Sequence, residues 1–161
     1  MAGVKLYDDA IDKLMLQGDP YGGYKLYHDK EHHRQPIALT DLKSIIRNQD
    51  YSIGEAFYLG ELLLSYSQFD LANDFWTGLV MQHPSLTGAW MNLGVVKAKL
   101  NSMMEAKLIF IEKVLKKNPD FLNIHHNLSI LYRKEKNFPL WVKYQLLEIV
   151  KNSNSKIHQF V

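Results

Sequence analysis

The stretch 90–119, WMNLGVVKAKLNSMMEAKLIFIEKVLKKNP, decides the fold of this 161-residue chain, because it encodes two helices and the turn between them. Apolar residues recur at three- and four-residue steps over 90–100, which indicates one helical stripe. Asn101-Ser102 interrupts the stripe with a turn, and a helical period resumes over 105–117. Asn118-Pro119 ends the second helix, since the residue before a proline disfavours the α conformation. The stretch therefore predicts an antiparallel helical hairpin.

The hairpin is repeated along the chain. Leu59-Gly60, Leu93-Gly94 and Leu128-Ser129 follow one another at spacings of 34 and 35 residues. A glycine in mid-helix costs about 1 kcal/mol relative to alanine, so we expect it where another element comes close. The second helix of each unit carries a small and a large residue that can pack against the glycine: Ala72 and Trp76 in the first unit, Ala106 and Phe110 in the second. The large residues Trp76 and Phe110, together with Trp90, are predicted to be core residues. One hairpin cannot bury its own apolar face, so the units are predicted to stack.

This pattern resembles the tetratricopeptide repeat (TPR) family, in which Trp, Leu-Gly, an aromatic residue, Ala, a second aromatic residue and Pro recur over 34 residues. The resemblance covers residues 53–150, in units of about 53–86, 87–121 and 122–151. The third unit departs from the pattern, with Ser129 for the glycine and Trp141 for the second-helix alanine. The second unit has one extra residue between Ala106 and Pro119. The resemblance implies an all-α fold of antiparallel helix hairpins stacked as a short superhelix, or solenoid.

The resemblance also implies that the first helix of each unit lines a concave groove that binds a partner protein. The groove candidates lie off the packing stripe of those helices: Phe57, Tyr58, Glu61, Leu64, Met91, Asn92, Val95, Ala98, His126, Asn127, Ile130 and Arg133. Their apolar members predict a groove floor that holds an extended or helical apolar segment. The alternative is that these residues contact a helix at one end of the array.

One TPR subclass grips the carboxyl terminus of heat-shock chaperones with Lys, Asn and Arg side chains. Asn92 fits that pattern, but Phe57 and Glu61 stand where the first Lys and Asn are required. Asn123 and Asn127 stand where the last Lys and Arg are required. A carboxylate would meet Glu61 without a flanking cation, which is repulsive. The sequence therefore argues against this adaptor class.

The composition points to a binding protein and not to an enzyme. The chain has no Cys, which excludes a disulfide framework, a thiol nucleophile and a Cys-ligated metal. It shows neither a glycine-rich phosphate loop nor a nucleophile elbow, and no apolar run approaches the length of a membrane span. We predict a cytoplasmic, non-enzymatic adaptor, assembly factor or chaperone without a cofactor. In size and architecture it resembles the bacterial chaperones of secreted translocator proteins.

Residues 1–50 are predicted to form an N-terminal helical segment, which could be a degenerate repeat. Helices are expected over 24–34 and 39–48, with Thr40 as an N-cap. His28 and His32 would then lie one turn apart on one helix face, in the spacing of a zinc-binding pair. A solvated polar helix explains the same residues, and metal binding is retained as an alternative. Residues 152–161 are predicted to be a C-terminal tail.

Charge is divided unevenly along the chain. Residues 1–90 carry seven basic and twelve acidic side chains, net −5, and residues 91–161 carry twelve and five, net +7. The basic half gives an alternative function, nucleic-acid binding through Arg133, Lys134 and Lys136 beside Tyr132. Self-association through an end repeat is a further alternative, because an unpaired end exposes an apolar face.

Overall fold

The computed structural model describes residues 37–49 and 51–157, with side chains up to residue 153. This part of the chain is all-helical and contains no strand, as predicted. Seven α-helices and one π-helix follow in order: α1 Leu39–Asn48, α2 Ile53–Ser65, α3 Phe69–Gln82, α4 Thr87–Lys99, α5 Met103–Leu108 continued by the π-helix Ile109–Leu115, α6 Ile124–Lys134 and α7 Phe138–Ile157.

Successive helices pack as hairpins. Helix α2 packs on α3, α4 packs on α5 and the π-helix, and α6 packs on α7. Helix α4 also touches α2 and α6, so the first helices of the three hairpins are neighbours. Trp76 and Phe110 are fully buried, as predicted, whereas Trp90 is half-buried, with its Nε1 donating to the Pro84 carbonyl at 3.0 Å. The hairpins thus share one apolar core.

The first two hairpins close on the same glycine–aromatic contact. A Cβ built on Gly94 would lie 2.8 Å from Phe110 Cδ1 and still closer to its Cε1, so no larger residue fits there. A Cβ on Gly60 would overlap the Trp76 indole in the same way. In the third hairpin the glycine position is Ser129, whose Oγ accepts a 3.0 Å hydrogen bond from Gln145 Nε2. A polar pair therefore takes the place of the glycine–aromatic contact.

The turns inside the three hairpins also repeat. Ser67, Asn101 and Lys136 all have positive φ, at 56°, 61° and 59°, and they are spaced by 34 and 35 residues. At each turn the next residue's N–H reaches back to a carbonyl five residues earlier, at 2.9 Å in all three cases. These bonds are those of a Schellman cap, which satisfies the last carbonyls of a helix. The backbone thus keeps the repeat spacing even where the side chains differ.

The extra residue of the second unit lies in a π-helix. A regular α-helix was predicted over 105–117, but it gives way to wider turns over Ile109–Leu115. The Lys116 N–H bonds the Ile111 carbonyl at 3.0 Å, a five-residue step. A π-turn holds one more residue than an α-turn does. The wider turns accommodate the insertion while Phe110 remains against Gly94.

Three element ends differ from the predictions or add to them. Helix α1 begins at Leu39 after Ala38, so the prediction of Thr40 as its N-cap is wrong. Helix α2 begins with a capping box, in which Ser52 and Glu55 bond each other's backbone N–H. Helix α7 continues to Ile157 and so passes the boundary predicted at 152. The helix predicted over 24–34 lies outside the described residues.

A candidate binding pocket

A pocket of about 420 Å³ opens where the first helices of the three hairpins lie side by side. Helix α2 contributes one lining residue, α4 contributes three, and α6 with the residue before it contributes three. The lining residues are Glu61, Met91, Asn92, Val95, Asn123, His126 and Asn127. The volume is in the range of ordinary ligand sites in proteins.

Carboxamides dominate the chemistry of this pocket. Asn92 is only 7% exposed, and its Nδ2 has no hydrogen-bond partner among the described residues. Asn127 Nδ2 faces Met91 Sδ at 3.9 Å, which is a weak hydrogen bond. Asn123 precedes α6 with φ 62° and makes no side-chain capping bond to the helix. The pocket therefore carries amide groups that bond weakly or not at all to the surrounding protein.

The unsatisfied Asn92 amide is the unusual feature of the site. Most buried polar groups in proteins have a hydrogen-bond partner, and leaving one without a partner costs about 1–3 kcal/mol. A structural role in the core would not explain that cost, because an apolar residue of the same size would fit. Asn92 lines the pocket, so a small turn of its carboxamide would let Nδ2 donate to a ligand carbonyl there.

The predicted groove residues divide into two groups. Six of the twelve line the pocket, and the other six do not: Phe57, Tyr58, Leu64, Ala98, Ile130 and Arg133. Phe57 and Tyr58 are 1% and 6% exposed. The Phe57 ring lies edge-on to Trp76, with centroids 5.3 Å apart, so it is a core residue. The floor is thus more polar than predicted, with Met91 and Val95 as its apolar part.

Asn123 is the lining residue that the sequence-based groove set omitted. It stands one position before α6, and the prediction considered only residues inside the first helices. A signal was available, because Asn92 and Asn127 are spaced by the repeat length and Asn123 lies one turn before Asn127. An asparagine stripe across two units would have included it.

An aromatic cluster lies between α6 and α7. The rings of Tyr132 and Tyr144 are stacked with centroids 5.4 Å apart, and His125 stacks on Tyr144 at 6.0 Å. Burial, followed by the positive charge of Lys151, lowers the pKa of His125, while Glu148, the Pro119 carbonyl and Asp120 act in the opposite direction. Burial and the neighbouring Tyr132 raise the pKa of Tyr144.

Several cations of the basic half already have partners within the protein. Three lysines form ion pairs: Lys97 with Glu105 at 2.9 Å, Lys107 with Glu135 at 2.7 Å and Lys116 with Glu112 at 2.6 Å. The Arg133 guanidinium lies 5.8 Å from the centre of the Trp141 ring. Tyr132, the proposed stacking platform for a base, is 8% exposed and packs on Tyr144. The nucleic-acid alternative therefore lacks an accessible aromatic residue at that position.

The described residues contain no group of three or more His, Asp or Glu side chains that could hold a metal ion. The His28–His32 pair, on which the metal alternative depends, lies outside the described part of the chain. None of the described helices has the length and apolar character needed to cross a bilayer. Comparisons with protein-family models, curated proteins and solved structures find no match to this chain.

Proposed function

We propose that this protein is a non-enzymatic binding module of TPR type, which holds an extended segment of a partner protein in the pocket between α2, α4 and α6. The observation that carries the proposal is the pocket lined by the first helices of all three hairpins, which includes the buried Asn92, whose Nδ2 has no acceptor among the described residues. The repeated hairpin register and the repeated turns support the TPR assignment.

The pocket chemistry suits a peptide backbone. An extended segment presents a carbonyl and an N–H at every residue, and a carboxamide can donate to one and accept from the other. Asn92 and Asn127 occupy equivalent positions in successive units, so they offer amides one repeat apart. Such contacts give affinity with little dependence on the partner's sequence.

Selectivity in this proposal comes from the apolar part of the pocket. Met91 is 3% exposed, so its flexible thioether forms the base of the site and adapts to the side chain placed on it. Val95 is half-buried at the wall. The partner segment therefore carries at least one apolar side chain among residues that contribute mainly their backbone.

The biological role that fits such a module is that of an adaptor, assembly factor or chaperone acting in the cytoplasm. A chaperone of the bacterial secretion class is the most specific form of the proposal. Each of these roles needs an accessible site for an unfolded or extended segment of the partner, and the pocket is a candidate for that site.

The test uses a phage-displayed library of random peptides selected on the immobilised full chain. Enriched peptides are then titrated against the wild type, Asn92→Leu and a control, Met104→Leu, which alters a 74% exposed residue of α5 away from the pocket. Asn92→Leu keeps the branched shape of the side chain and removes the donor, so it should weaken peptide binding by about tenfold. Met104→Leu should bind as the wild type does.

Folding is checked separately by urea denaturation. Because Asn92 Nδ2 has no hydrogen-bond partner among the described residues, Asn92→Leu should leave the free energy of unfolding within about 1 kcal/mol of the wild-type value. Lost binding in a fully folded variant supports the pocket. Peptides that bind Asn92→Leu as tightly as the wild type, or a selection that enriches no peptide, would contradict it.

A further inference from the structure

The outward face of α7 is apolar along its length. The structure shows five large apolar side chains on this face, each about half exposed: Phe138 57%, Val142 47%, Leu146 56%, Ile149 57% and Val150 56%. They recur at steps of three and four residues and so form one stripe along the helix, here named the α7 stripe. Elsewhere in the described chain, exposed large apolar residues are scattered over several helices.

Two charged residues of α7, Glu148 and Lys151, lie toward the protein, whereas Lys143 is exposed. Lys151 lies toward the protein and donates to the carbonyls of Asp120 and Phe121, at 2.6 and 2.8 Å. Glu148 is half-buried on the same side. Lys143, at the edge of the stripe, has its Nζ 5.6 Å from the centre of the Tyr144 ring. A surface helix normally places its charges in water and its apolar residues inward, so this arrangement indicates a covered face.

We propose that the α7 stripe is the interface of a twofold-symmetric dimer, in which α7 packs antiparallel against α7 of a second copy. This inference is independent of the pocket and of the proposed function.

The stripe is complementary to itself in that arrangement. With Leu146 near the twofold axis, Phe138 at one end of the helix meets Ser153 at the other end of its partner. Val142 meets the pair Ile149 and Val150. The largest residue thus faces the smallest, which is how facing helices interdigitate without voids. A twofold interface uses the same patch on both copies, as a self-complementary stripe requires.

The stripe supplies about three quarters of the area that a stable dimer buries on each copy. Each of the five side chains leaves roughly 100 Å² in water, so with the neighbouring Leu147 the stripe offers on the order of 600 Å² per copy. Stable interfaces bury about 800 Å² on each partner, and residues at the rim supply the difference. The stripe residues themselves are uncharged, and the exposed Lys143 lies at the edge, where its long side chain can keep its ammonium group in water.

The first experiment measures the mass of the full chain by sedimentation equilibrium between about 1 and 100 μM. The wild type should be dimeric at the upper end, and Leu146→Glu should weaken the dimer by more than about 100-fold, because two like charges would meet at the axis. Met104→Glu, at a 74% exposed position on α5, is the matched control and should leave the dimer intact. A monomeric wild type, or equal loss in both variants, overturns the proposal.

The second experiment uses cysteine cross-linking to determine how the two copies of α7 are aligned, and it does not depend on the folding of a charged variant. The chain has no Cys, so each introduced thiol reports on one contact. Under mild oxidation, Phe138→Cys mixed with Ser153→Cys should give a cross-linked dimer, whereas either variant alone should not. Leu146→Cys should cross-link to itself. Self-cross-linking of Phe138→Cys alone would indicate parallel packing, and no cross-link in any sample would indicate another occupant; either result overturns the proposal.

Discussion

Gln145 Nε2 donates a 3.0 Å hydrogen bond to Ser129 Oγ across the third hairpin, 16 residues earlier in the chain. The same separation joins Phe110 to Gly94 in the second hairpin and Trp76 to Gly60 in the first. The same structural position is therefore filled by a glycine–aromatic contact in the first two hairpins and by a hydrogen-bonded pair in the third. Ser129 is fully buried, and its Oγ also donates to the His126 carbonyl at 2.7 Å.

The third hairpin should remain folded when its serine–glutamine pair is replaced by the glycine–aromatic contact of the other two hairpins. Ser129→Gly alone leaves the Gln145 amide without its partner, and Gln145→Phe alone places a ring against a serine side chain. The double variant restores the glycine–aromatic contact, so the two changes should be less destabilising together than their sum by about 1–3 kcal/mol. Urea denaturation of all four proteins measures this coupling. Simple additivity would show that the two positions do not form an equivalent pair.

The glycines of the first two hairpins should respond to alanine in the opposite way from Gly78. Gly94→Ala and Gly60→Ala place a methyl group inside the ring contacts and should each cost about 1–3 kcal/mol. Gly78 lies in α3, and a Cβ there meets no described atom within 4 Å. Gly78→Ala should therefore stabilise the protein by about 0.5–1 kcal/mol through helix propensity alone. Thermal unfolding of the three variants gives the signs, and a stabilising Gly94→Ala would contradict the packing.

The hairpin turns should gain stability from glycine. Ser67 and Lys136 hold positive φ angles that favour glycine, because a Cβ crowds the backbone in the left-handed region. Ser67→Gly and Lys136→Gly should each raise the free energy of unfolding by about 0.5–1 kcal/mol. Lys134→Gly, at the last residue of α6, where φ is helical, is the matched control and should lower the free energy of unfolding. Denaturant midpoints at constant slope provide the measurement, and destabilisation in both turn variants would argue against this cap geometry.

The repeat could be predicted from the sequence because it depends on residue types with fixed requirements. Leu59-Gly60, Leu93-Gly94, Asn101-Ser102 and Asn118-Pro119 predicted the helix hairpins, a turn and the all-α class. The capping box at Ser52 and Glu55 also has a sequence signature, S-x-x-E before an apolar run, although it was not among the predictions. The π-helix was signalled by the extra residue before Pro119, although spacing alone does not show whether a loop or a helix accommodates an insertion.

The candidate site was harder to predict because burial depends on the relative rotation of neighbouring helices. Periodicity placed Phe57 and Met91 at equivalent groove positions, yet Phe57 packs on Trp76 while Met91 lines the pocket. A helix stripe specifies a face to within about one residue on each side, and that margin separates core from groove. The exposed α7 stripe was predicted only in general form, as an unpaired end of the array.

Stability should fall in mild acid because of His125. Its pKa is lowered in the folded protein by burial and by Lys151, so the native state resists protonation that the unfolded chain accepts below its ordinary pKa of about 6.5. The unfolded state then binds more protons, and the free energy of unfolding decreases as the pH falls from about 6.5 to the folded pKa, below which the loss is complete. Urea denaturation of the wild type and His125→Gln at pH 8 gives the cost of the substitution itself. Repeating the pair at pH 5.5 isolates the titration, since a glutamine takes up no proton. The difference in the free energy of unfolding between the two proteins should be smaller at pH 5.5 than at pH 8. A difference that stays constant would show that His125 does not contribute to the pH dependence.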